Sequence, residues 1–98
     1  MAVERQKKTV LSEKYAVFIL VSLLENDVLK MSDFSKAITA LRSLENIIEE
    51  LQKAGLIHTE KVLKPYRTTF ISLTDLGCEV AKVLKKAEDV LNEKSQAE

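Results

Sequence analysis

The sequence predicts a mainly α domain with one small β-hairpin and a long last helix. Three observations predict it. Residues 13–26, 40–54 and 75–94 are rich in apolar residues in runs of helical length, the latter two at helical spacing. After Gly55 the apolar period drops to roughly two, over two short stretches rich in Ile, Thr and Phe. Two glycines and one proline in 98 residues leave few sharp turns, so long helices follow.

Residues 1–11 are polar and mixed in charge and read as an arm. Ser12 is placed to cap a first helix over residues 13–26, which ends at Asn26-Asp27. Tyr15, Val17, Phe18, Ile19, Leu20, Val21, Leu23 and Leu24 make that helix apolar on most sides, so neighbours or a partner subunit must cover it. Residues 28–31 alternate and read as short extended chain. Ser32 is placed to cap a short second helix over residues 33–37, and Thr39 a third over residues 40–54, with Gly55 as its stop. Residues 56–62 and 68–73 read as two strands. Residues 63–67 form their loop, where Pro65 has no N–H for a ladder. Thr74 is placed to cap the last helix, from Asp75 to about Lys94, before a polar tail.

Composition bounds the class. The chain is 46% hydrophobic and 31% charged, ordinary for a soluble globular domain with one core. Aromatics are only 5%, so Leu, Ile and Val must supply the packing. The net charge is zero, so any basic face must come from its distribution. The longest apolar run, residues 15–24, is about half of what a membrane span needs, and no small-residue cleavage site follows it. A single cysteine, Cys78, rules out an intramolecular disulfide and fits a reducing compartment. A cytoplasmic location is expected.

Two helices joined by a tight turn and followed at once by a hairpin make the winged helix-turn-helix layout, over residues 12–73. Leu44, Ile47, Ile48 and Leu51 share one face of the third helix and point to the core. At about 100° per residue, Arg42, Asn46, Glu49 and Lys53 lie opposite. Arg42 can donate a bidentate pair to guanine, Asn46 can pair with adenine and Glu49 can accept from cytosine. Arg42 and Lys53 stand against Glu45, Glu49 and Glu50, a net charge of −1, so a merely solvated face stays an alternative. The hairpin tip is more basic: Lys61, Lys64 and Arg67 against Glu60 give +2, and Tyr66, Thr68 and Thr69 add hydroxyls for phosphate oxygens. Arg5, Lys7, Lys8 and Lys14 add further positive charge near the N-terminus.

Residues 74–98 make the last helix and its tail. Leu76, Val80, Val83, Ala87 and Val90 are spaced 4, 3, 4 and 3, with Leu84 and Leu91 widening the seam. A homodimer interface is expected from this seam. Packing across the first helix of the same chain is the alternative.

The segment LENIIEELQKAGLI, Leu44 to Ile57, resembles the end of the recognition helix and the start of the wing in winged-helix transcriptional regulators grouped as MarR-like and PadR-like. FISLTDLG, Phe70 to Gly77, is similar to the wing's return strand and the LT-x-x-G start of the last helix in those families. With the first two helices, the resemblance covers about residues 12–90. It implies base contacts from Arg42, Ser43, Asn46 and Glu49. It implies backbone or minor-groove contacts from Lys61, Lys64, Tyr66, Arg67 and Thr68. The sequence departs from the pattern in having Ala37-Ile38-Thr39, without glycine, before the third helix, and in a less basic recognition helix.

No enzyme signature is found. His58 has no second His or Cys near it in sequence, so neither a metal nor a cofactor is expected. Cys78 lies beside the seam and reads as a packed or interface residue. No residues mark a pocket for a small-molecule effector, although one could lie between the first and last helices at a dimer interface. The expected function is therefore a dimeric, sequence-specific regulator bound to double-stranded DNA, with half-sites about 34 Å apart. The alternative is a winged-helix protein-interaction module with little DNA binding, which the neutral charge and acidic third helix fit.

Overall fold

The computed structural model describes residues 9–96. The basic residues Arg5, Lys7 and Lys8 lie outside the described residues. A 3-10 turn, Val10–Ser12, leads into α1 (Ala16–Asn26), β1 (Val28–Lys30), α2 (Met31–Ser35) and α3 (Leu41–Lys53). The wing strands β2 (Ile57–Val62) and β3 (Thr68–Leu73) follow, then α4 (Asp75–Gln96). The predicted order holds throughout, and this is a winged helix-turn-helix with a long C-terminal helix.

Three expected caps are not used. Ser12 does not start α1: its hydroxyl donates to the Thr9 carbonyl at 2.9 Å, and Thr9 Oγ1 takes the Leu11 N–H at 3.2 Å, closing the 3-10 turn instead. The chain then turns at Tyr15, at φ 74°, so α1 begins at Ala16 rather than residue 13. Ser32 does not start α2, because the Asp33 carboxylate accepts the Lys30 N–H at 2.8 Å and moves the start back to Met31. Thr39 does not start α3; Ala40 holds that position without a side-chain bond. Burial of Ile38, at 1% exposure, decides where the chain lies between α2 and α3. Its N–H and that of Ala37 both bond back to the Phe34 carbonyl, extending a turn past the end of α2.

The stop at Gly55 is as expected. Gly55 takes φ +82°, its N–H donates to the Gln52 carbonyl at 3.0 Å, and the Leu56 N–H donates to Leu51 at 3.1 Å. These are the two bonds of a Schellman motif, and buried Leu51 and Leu56 supply its apolar contact.

The sheet has three antiparallel strands in the order β1-β3-β2. Ile57 pairs with Leu73, and Thr59 and Leu29 flank Ile71 on the same face, so Ile71 is fully covered. Ala16, Ile19, Leu20 and Leu23 of α1 join Leu44, Ile47, Ile48 and Leu51 of α3 in the core, which Phe34, Ile38 and Ala81 complete. Each fully buried Leu or Ile contributes about 1.5–3 kcal/mol. Phe18, half-exposed, meets the Phe34 ring edge to face at 6.2 Å. The apolar first helix is thus covered mainly by its own chain. None of the described helices is long and apolar enough to cross a membrane.

Candidate nucleic-acid interface

The core face of α3 is the one the spacing predicts: Leu44, Ile47, Ile48 and Leu51 are all buried. Arg42, Ser43, Asn46, Glu49 and Lys53 are all exposed. They do not form one uniform surface. Lys53 pairs with Glu49 at 3.8 Å, one turn away, so these two charges largely cancel. Arg42 has no ion-pair partner among the described residues. Ser43 and Asn46 border a cleft whose other wall is Glu13, Lys14 and Tyr15, with Glu50 beside them. Lys14 lies over the Tyr15 ring, 5.1 Å from its centre. Sequence reasoning missed this wall, because the turn at Tyr15 that brings it to α3 leaves no local pattern.

On its other flank α3 is tied to the wing. The Thr59 hydroxyl of β2 donates to Gln52 Oε1 at 3.1 Å. At the wing tip Lys61, Lys64, Tyr66 and Arg67 are exposed, while Thr68 is half-buried, its hydroxyl 3.5 Å from the Tyr66 carbonyl. The Lys64-Pro65 peptide is cis. Arg67, Thr68 and Thr69 also line a second groove, beside the start of β3, facing Lys30, Ser32 and Ser35 and the start of α3 at Leu41. This groove holds two cations and four hydroxyls, with no acidic side chain in its lining. Lys30, Ser32 and Ser35 were not among the expected site residues. The signal that finds them is the pairing of Lys30 with Phe70, which sets the end of β1 beside the first half of β3.

The expected seam of α4 divides in two. Val80 and Leu84 pack against the core of the same chain. Leu76, Val83, Val90 and Leu91 are 51%, 69%, 45% and 65% exposed, and Ala87 is exposed with them. The intramolecular alternative therefore holds for two of the seven residues. A groove between α1 and α4 is lined by Leu24, Val90 and the charged residues between them. Lys85 bridges these helices, 3.0 Å from Glu25 and 3.6 Å from Asp89. Its bond to Glu25, then the charges of Asp89 and Glu25, raise its pKa above the usual lysine value. Cys78 is half-buried and His58 is exposed on β2; among the described residues no group of acidic, His or Cys side chains has the arrangement of a metal site.

Compared with curated proteins, the sequence has no match. Solved structures match well in shape. A transcriptional regulator homologue from Pyrococcus horikoshii OT3 is 24% identical over 87% of this chain and 86% of that one, with a TM-score of 0.73. A mutant of Lactococcus lactis ZitR is 18% identical over 99% of this chain and 64% of its own, at 0.77. The adhesin competence repressor AdcR from Streptococcus pyogenes is 24% identical over 86% of this chain and 63% of its own, at 0.70. The chain spans just under two thirds of the length of ZitR and AdcR. At these identities the likeness shows the fold, which is the one the MarR-like and PadR-like resemblance implies. The family model for HxlR-like helix-turn-helix proteins matches residues 10–98, and this protein belongs to that family.

Proposed function

We propose that this protein is a sequence-specific transcriptional regulator that binds double-stranded DNA as a homodimer, in the cytoplasm. The observation that carries the reading is the exposed polar stripe of α3 next to the groove lined by Lys30, Arg67 and four hydroxyls. A helix about 10–12 Å across fits a major groove about 12 Å wide. Seated there, Arg42 and Asn46 present donors and acceptors to base edges, and the wing and its groove take phosphates on one side. The Glu49–Lys53 pair leaves α3 with little attraction of its own, so the wing supplies most of the electrostatic steering. Apolar Leu76, Val83, Ala87, Val90 and Leu91 supply the dimer contact. The names of the structural relatives, a transcriptional regulator homologue and a repressor, support the reading.

Selection of bound duplexes from a random pool, followed by gel-shift titration at several salt concentrations, tests it. A subset of sequences is retained, and affinity falls steeply with salt. Failure to retard any duplex at low salt overturns the reading and leaves the protein-interaction alternative. Within it, Arg67→Ala weakens binding to all sequences alike, whereas Asn46→Ala relaxes preference at one base pair by about 1–3 kcal/mol.

A further inference from the structure

The turn that ends α3 and the turn that begins α4 share one residue. Thr74 N–H donates to the Leu56 carbonyl at 3.0 Å, and the Thr74 hydroxyl donates to the Gly55 carbonyl at 2.6 Å. The same hydroxyl oxygen accepts the Gly77 N–H at 3.0 Å, capping the first turn of α4. Gly77 completes the contact by having no side chain: a Cβ built there would overlap the Leu56 carbonyl oxygen. Leu51, Leu56 and Ala81, from the two helices and the turn between α3 and β2, are all buried in the one core. Away from this point α3 and α4 make few direct contacts; α4 otherwise packs on α1, which shares the core with α3, so this junction is the direct tie between the two helices.

We propose that Thr74 is a positioning residue that locks the recognition helix to the dimer helix, and thereby sets the half-site spacing that the dimer accepts. The inference rests on the dimeric DNA-binding reading above. The lever is long: α4 has 22 residues, roughly 33 Å. A tilt of about 6° at its start moves its far end by about 3.4 Å, the rise of one base pair. An ordinary N-cap needs only an acceptor for an N–H of the first turn. Thr74 does more, because its hydroxyl also donates to α3's terminal turn.

That difference defines the test. Thr74→Ser keeps both donor and acceptor. Thr74→Asp keeps the acceptor for Gly77 but has no proton for Gly55, and sets a carboxylate against its carbonyl. Duplexes carrying two selected half-sites, with the spacing changed one base pair at a time, are titrated with all three proteins. Wild type and Thr74→Ser prefer one spacing by about tenfold over its neighbours. Thr74→Asp retains dimer mass and affinity for a single half-site but loses that preference. A spacing profile unchanged in Thr74→Asp overturns the proposal. So does loss of spacing preference and single-site affinity in proportion, which a purely structural cap produces.

A measurement without DNA separates this proposal from the function it rests on. Spin labels at Glu45→Cys in a Cys78→Ser background report the separation of the two recognition helices in the dimer. Wild type and Thr74→Ser give one narrow distance, and Thr74→Asp a broad one. Equal distributions overturn the positioning role even if DNA binding stands. A broadened distribution in a protein that binds no duplex supports the positioning role while the regulator reading falls.

Discussion

The first half of α4 and its second half carry the same apolar repeat, yet only the first is covered by its own chain. Ala81 is fully buried, Gly77 touches the Leu56 backbone, and Val80 and Leu84 pack on the core. Ala87, Val90 and Leu91, one to two turns further on, are exposed. Leu76 and Val83 lie on an exposed side even within the covered half. The lesson is that periodicity reports that a face is apolar, whereas the geometry of the domain decides what covers it. A domain of this size reaches only the start of a helix this long, and the remainder is an exposed apolar strip, which a second copy covers in the proposed dimer.

Substitutions can break this comparison, beginning with the largest effect. Ala81→Glu places a charge at a fully buried site, a cost of several kcal/mol against a total stability of about 5–15 kcal/mol. The cooperative thermal transition is lost in circular dichroism; a melt like that of wild type would mean that α4 is not seated as described. Gly77→Ala forces a methyl group onto the Leu56 carbonyl and costs about 1–3 kcal/mol. That lowers Tm by about 4–8 °C for each kcal/mol in a domain of this size. The substitution at Gly55, where nothing lies within 4 Å, costs only the positive φ, about 1–2 kcal/mol. A larger loss at Gly55 than at Gly77 would reverse the assignment of the close contact.

Val83→Glu changes a 69% exposed residue, so stability stays within about 0.5 kcal/mol of wild type. Its effect is on assembly: light scattering reads the mass of one chain instead of two. An unchanged dimer mass would move the interface off this strip. Lys85→Met has the smallest effect, because both of its ion pairs are solvent-exposed and screened by salt. Its pKa is raised in the fold, so the little it contributes is present at neutral pH and lost only as pH climbs through that raised value. Melting curves of wild type and Lys85→Met at neutral pH should superimpose; a clear drop in Tm would give the α1–α4 bridge a structural weight that its exposure argues against.

The candidate interface was legible in part. The outward stripe of α3 and the basic tip were readable because a helix has a fixed angular step and a hairpin tip is always exposed. The groove beside the start of β3 was not. Lys30, Ser32 and Ser35 reach Arg67 and Thr69 only because β1 pairs with β3, a contact between residues 40 positions apart in the case of Lys30 and Phe70. The wall of Glu13, Lys14 and Tyr15 beside Asn46 depends likewise on a turn made by a tyrosine at positive φ.

The capping residues show the same division. Ser12, Ser32 and Thr39 have the right chemistry for helix starts, and Thr74 has it too. Only Thr74 is used so, because the Gly55 and Leu56 carbonyls wait beside it. Neighbours along the chain suffice for element order, the stop at Gly55, the span of β3 and the core face of α3. Tertiary structure alone decided which hydroxyl caps, which half of α4 is covered, and why residue 77 has no side chain. Those outcomes rest on contacts between distant segments, whose free energies exceed the local preferences they override.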